Sequence, residues 1–147
     1  MDRLKQFGLV YLGTPYTKYY AGIEWAFADA ARLAAAMMRR GIKVYSPIAH
    51  THPLARFGNI DPLDHSIWLP FDAAMMDRSD AMAIGTFAGW QQSYGVQHEI
   101  EVFQKAGKPV FRVDPWDFLV TEHISRFAHA PLLDPIIDGD PRTGEAV

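Results

Sequence analysis

Short continuous apolar runs alternate along the chain with stretches in which apolar residues recur every three or four positions. Phe7-Gly8-Leu9-Val10-Tyr11-Leu12 is such a run, closed by the polar loop Gly13-Thr14-Pro15-Tyr16-Thr17, and it predicts a buried first strand. From Ile23 to Arg40 the period changes. Ile23, Ala26, Phe27, Ala30, Leu33, Ala34, Met37 and Met38 fall on one helical face, and Arg39-Arg40-Gly41 supplies a stop. Ile42–Ser46, Asp80–Gly85 and Lys108–Val113 read as further strands. Helices are predicted from Asp64 or Pro70 to Arg78, from Ser93 to Ala106, and from Trp116 to Phe127 as a closing element. The segment Pro47–Leu63, with its prolines, histidines and Gly58-Asn59 pair, predicts a functional loop or lid. Thr86–Gln92 predicts a loop with an exposed Trp90.

Strands alternating with helices imply an α/β chain: a single-domain Rossmann-like (flavodoxin-like) parallel sheet with helices on both faces. Ligands of such sheets sit at the carboxyl ends of the strands, where Tyr11, Thr14, Ser46, Gly85 and Ser93 should converge. The domain is expected over residues 1–130. The proline- and aspartate-rich tail, 131–147, has little to bury alone and is expected either to fray or to dock on a neighbouring subunit.

Composition narrows the function classes. The chain has 147 residues, 49% of them apolar, enough for one domain with a real core. A net charge of -3 argues against a broad surface for a nucleic acid polymer. With no cysteine there is neither a disulfide scaffold nor a thiolate metal site, which fits a cytoplasmic location. Met1 to Val10 lacks the apolar run of a signal peptide, and no stretch is long enough to span a membrane.

The most informative chemistry lies in Ser93-Tyr94-Gly95-Val96-Gln97-His98-Glu99. Ser93 opens a helix whose unpaired N–H groups and positive dipole suit an anion such as a phosphate. Glu99, further in, is expected to stay ionised and to point at whatever that anion anchors.

Three blocks resemble the nucleoside 2-deoxyribosyltransferase superfamily, which includes the 2'-deoxynucleoside 5'-phosphate N-hydrolases. They are Val10–Tyr16, Asp72–Asp80, and Ser93–Glu99 followed by Gly107–Val110. The resemblance implies Glu99 as the catalytic carboxylate, Asp72 as its partner and Tyr11 as the strand tyrosine. Ser93 resembles the hydrolase branch, where transferases resemble an aspartate. Thr14 matches a second hydroxyl position of the phosphate loop. Beside the resemblance, Gly95 of the third block, Tyr16 of the first loop and Trp90 of the polar loop are further substrate-binding candidates, with Lys18 and Arg56 as candidates to neutralise phosphate. Departures are the longer Ile84–Ser93 loop, a first loop without the hydrolases' arginine, and the Pro47–Leu63 insert. The implied activity is an N-glycosidase on nucleoside 5'-monophosphates, needing no cofactor and no metal. A base-exchanging deoxyribosyltransferase and a non-catalytic nucleotide-binding module are the alternatives. The resemblance also implies a homodimer or higher homo-oligomer.

Other residues read more plainly. Glu101 is expected to be solvated and Asp80 to end a turn. Trp68 and Phe71 are expected in the core or along a base pocket, with core the default for Phe71. His50, His52, His65 and His98 lack the spacing of a metal site and are expected to be solvated or to touch substrate.

Overall fold

The computed structural model describes residues 1–124. Its elements are β1 (Val10–Gly13), α1 (Ile23–Arg39), β2 (Val44–Tyr45), α2 (Pro47–Phe57), α3 (His65–Arg78), β3 (Ala81–Gly85), α4 (Tyr94–Lys105), β4 (Val110–Val113) and β5 (Val120–Glu122). Short 3-10 turns occupy Asp2–Gln6 and Trp90–Gln92. The sheet order is β2-β1-β3-β4-β5. β1 pairs parallel with β2 and β3, and β3 parallel with β4, as expected of an α/β Rossmann-like sheet. The chain leaves β1 toward β2 and returns past it to β3. This order therefore reverses between β1 and β3, the point where such sheets open a crevice at their carboxyl ends.

Strand alternation divides the core into two layers. Val10 and Leu12 join Ala26, Leu33 and Met37 of α1 in one buried cluster. Tyr11, between them, faces the other way and packs with Met76 of α3 and Val96, Ile100 and Phe103 of α4. Helices thus cover both faces.

Three expectations change. Pro47–Leu63 is not a plain loop, because its first eleven residues form α2. Pro47 sits at the first helical position, where its missing N–H costs nothing, and the Ser46 hydroxyl accepts from the Ala49 N–H at 3.2 Å. Trp116 does not open a helix. Asp114 Oδ1 accepts from the Trp116 and Asp117 N–H groups (2.8 and 3.1 Å), and Phe118 adopts a φ of 62°. The chain reverses there, and β5 pairs antiparallel with β4. Finally, Trp90 is only 9% exposed. The Arg112 guanidinium lies 5.6 Å from its ring and His123 meets it edge-on at 5.9 Å, so the loop folds its one tryptophan inward. The end of the expected closing helix and the tail at 131–147 lie outside the described residues. No helix among the described residues is long and apolar enough to cross a membrane.

Candidate active site

Four elements bring one cluster of acids and phenols together on the α3/α4 side of the sheet. β1 supplies Tyr11, β2 supplies Tyr45 in register beside it, α3 supplies Asp72 and α4 supplies Glu99. Tyr11 is fully buried, and its hydroxyl donates to Glu99 Oε2 at 2.7 Å. The Tyr11 and Tyr45 rings lie 5.9 Å apart. Gly13, two residues beyond Tyr11 on the same face of β1, makes room for the carboxylate. A Cβ there would stand 2.8 Å from Glu99 Oε1 and 2.6 Å from the Met82 methyl. Asp72 Oδ1 and the Tyr45 hydroxyl are buried and have no hydrogen-bond partner. Such unmet buried groups are uncommon in folded proteins.

Burial dominates the electrostatics. It pushes Glu99 up from 4.5 to about 8; the Tyr11 hydrogen bond opposes the rise, and the Asp72 charge adds to it. Burial also raises Asp72 to about 6. Both tyrosines are raised, by burial first and then by the two carboxylates. The expectation that the helix terminus keeps Glu99 ionised is therefore corrected. Glu99 lies beyond the first turn, where the dipole has faded and desolvation prevails. Between about 6 and about 8 the pair as a whole holds about one proton, so an acid and a base coexist near neutrality.

A cleft of about 470 Å³ lies between the β1–α1 loop and the starts of α3 and α4. Tyr16 and Lys18 of the β1–α1 loop form part of its wall, with His65 and Leu69 of α3 and Ser93, Gly95 and His98 at the start of α4. The same segments carry the acid cluster. Gly13 closely precedes the loop, Leu69 lies one turn before Asp72, and His98 adjoins Glu99. Tyr11, Asp72 and Glu99 are not part of the wall itself, although Glu99 and Asp72 are only partly buried. Ser93 caps α4, its hydroxyl accepting from the Val96 N–H at 3.3 Å. Glu99 lies six positions after Ser93, about 9 Å further along the helix axis.

The other expected site residues divide. Thr14 is buried with an unpartnered hydroxyl, and its methyl would lie 3.0 Å from a Cβ on Gly85, so these two do meet at the strand ends. Gly95 stands open in the cleft wall. Tyr16 is in the wall, but its hydroxyl is taken up by His52 Nδ1 at 2.6 Å. Trp90, packed inward, is not in the wall, and Ser46 serves as the cap of α2. Arg56 is paired with Glu24 away from the cleft. Asp80 accepts from the Leu9 N–H at 3.0 Å and ties two strand starts together, as its turn role requires. Glu101 is exposed beside Lys105. Phe71, expected in the core, is 40% exposed and stacks on His50 at 5.2 Å. Among the described residues no three His, Asp or Glu side chains gather to hold a metal ion.

Tyr45, Gly13 and His52 were not singled out from sequence for these roles. Tyr45 had a usable signal: in a parallel β1–β2 pair, the residue level with Tyr11 shares its face. Gly13 had one too, at the next same-face position of β1. His52 had none, because its partners lie far away in sequence.

Residues 8–114 match the family model described as a domain of unknown function, DUF1937, and the chain belongs to that family. The match runs from just before β1 to the end of β4 and includes Tyr11, Asp72, Ser93 and Glu99. No curated protein matches the sequence.

Proposed function

We propose that the protein is an N-glycosidase that hydrolyses the base–sugar bond of a nucleoside 5'-monophosphate. The observation that carries this reading is the Tyr11–Glu99 hydrogen bond with Asp72 coupled to both, together with a cleft that ends on the capped start of α4. In the proposed reaction the phosphate lies at that helix start, against Ser93 and the free N–H groups, with Lys18 facing its charge. The pair's one proton rests mainly on Glu99, so the reactive form is the one in which it has moved to Asp72; Glu99, then ionised and steadied by the Tyr11 hydroxyl, attacks C1' through a carboxylate oxygen. The C1'–N bond breaks, its electron pair leaves with the base, and the proton shared by the acid pair passes from Asp72 to the base. Water then attacks C1', Asp72 takes its proton, and Glu99 departs as carboxylate. None of these steps calls on a cofactor.

One observation favours a second reading. The cleft wall has a single lysine and no arginine among the described residues, modest charge for a phosphate. A free nucleoside would need less, and a second base in place of water would make the protein a deoxyribosyltransferase. The setting that fits either reading is cytoplasmic, in keeping with the lack of cysteine. A homodimer or higher homo-oligomer is supported by Leu63, Ile67, Leu69 and Phe71, which are all at least 40% exposed in and just before α3.

The test is chromatographic. Each common ribo- and deoxyribonucleoside 5'-monophosphate is incubated beside its free nucleoside, with the Glu99→Ala variant as control. Base released only from monophosphates, and not by the variant, is the expected result. Release that needs a second base selects the transferase. Tight binding without release makes the protein a binding module, and release by Glu99→Ala overturns the mechanism.

A further inference from the structure

His52 is the most constrained polar side chain outside the acid cluster. It lies on α2, is 4% exposed, and stacks on Phe27 of α1 with ring centres 4.6 Å apart. Both ring nitrogens are engaged. Nδ1 meets the Tyr16 hydroxyl at 2.6 Å, and Nε2 meets Glu24 Oε2 at 3.0 Å. Arg56 also pairs with Glu24, so the carboxylate is already matched by a cation. The titratable and charged groups facing His52 are therefore Tyr16, Glu24 and Arg56.

The proton positions follow from what each group can do. A carboxylate only accepts, so Nε2 must carry the hydrogen that Glu24 receives. In a neutral ring Nδ1 is then a bare acceptor, and Tyr16 must spend its only hydroxyl proton on it. Tyr16 is at the same time part of the cleft wall, together with Lys18 and Ser93. Its oxygen is left with lone pairs alone. A phenol free to turn could donate to a ligand, but this one can only accept.

We propose that His52 is a positioning residue of the cleft: by fixing the direction of the Tyr16 proton through a buried Tyr16–His52–Glu24 chain, it makes that wall select a ligand hydroxyl and refuse an anion. This deepens the functional reading above and rests on it. The phosphate of a nucleotide goes to the α4 start, and a sugar hydroxyl, which can donate, goes to Tyr16. The role also accounts for α2. The helix carries the histidine that keys the β1–α1 loop.

Two measurements test this on the full chain, at about pH 8 where a histidine is ordinarily neutral. The first needs no ligand. Nitrogen-15 NMR of the imidazole should show the Nε2–H form for His52, with its Nδ1 signal moving in Tyr16→Phe. An Nδ1–H form, or an unmoved signal, overturns the proposal. The second uses Glu99→Gln as a background that binds without turnover, with 2'-deoxynucleoside 5'-monophosphates and their 2',3'-dideoxy counterparts as probes. The hydroxyl-bearing nucleotide should bind about tenfold more tightly, the worth of one good hydrogen bond. Adding Tyr16→Phe or His52→Phe should abolish that preference, while His52→Asn, which keeps an acceptor near the Nδ1 position, should retain it. A general loosening of the fold would weaken both probes alike and leave their ratio unchanged. Preference kept in His52→Phe, or lost in His52→Asn with melting unchanged, overturns the proposal. If His52→Phe does not fold, His52→Asn and the NMR signal decide. No binding of either probe overturns the nucleotide reading, and the hydroxyl assignment with it. Equal binding of both overturns only the inference about His52.

Discussion

The two faces of the sheet are built from the same strands and have little else in common. On the α1 side, Val10, Leu12, Ala81 and Ala83 meet Ala26, Leu33 and Met37 in an apolar layer. On the α3/α4 side, the alternate residues of β1 present a phenol and then a glycine to Glu99, with Asp72 and Tyr45 close by. The first face lowers the free energy of the fold by burying apolar area. The second buries two carboxyl groups whose protonation is shifted and leaves two polar atoms unmet, both of which cost stability. A protein keeps such groups where they do something other than pack.

The contrast is broken most strongly at Glu99. Glu99→Gln should lower turnover about a thousandfold, the usual scale for a lost catalytic carboxylate, and yet leave the protein more stable. The sign follows from linkage. A carboxyl raised from 4.5 to about 8 binds protons better folded than unfolded, so wild type loses stability as pH climbs across that window. Melting temperatures of the two proteins should agree near pH 4, diverge up to about pH 8 in favour of the glutamine, and then run parallel. A gap that closes with rising pH would refute the buried-acid description.

Leu12→Ala is the mirror experiment on the other face. It should cost about 2–5 kcal/mol in denaturant unfolding, as large-to-small core changes do, with little change in KM. Gly13→Ala tests how closely the faces are fitted. A methyl 2.8 Å from Glu99 Oε1 displaces the acid by a fraction of an ångström, and kcat should fall about a hundredfold with nucleotide affinity preserved. Tyr11→Phe is the smallest change. It should cost about tenfold in kcat, and because the Tyr11 bond holds the Glu99 pKa down, the ionised-carboxylate limb of the pH–rate profile should move to higher pH. Movement to lower pH would mean that the bond favours the protonated acid.

The sequence made the two-faced design legible to different depths. α1 announced itself by periodicity and the parallel strands by their apolar runs, because single helices and buried strands write their period into consecutive residues. Glu99, Asp72 and Tyr11 were found as a set, and they do come together. α2 was obscured by Pro53 within it, although Ser46-Pro47 is a proper helix start. The β5 segment reads as helix because the reversal depends on Asp114 folding back on its own backbone and on Phe118 taking a left-handed turn, neither visible in an apolar pattern. Trp90 reads as an exposed contact because its stretch is polar, whereas its neighbours in the fold, Arg112 and His123, come from the far edge of the sheet. The acids' raised pKa values were likewise out of reach, since desolvation is a property of the assembled site.

The outermost strands have a consequence of their own. β2 spans two residues and β5 three, so among the described residues the sheet ends on both sides in very little open ladder. Long bare edges are what recruit foreign strands and seed cross-β aggregates. A chain trimmed in this way should tolerate concentration well once folded, because its edges give a foreign strand little ladder to extend.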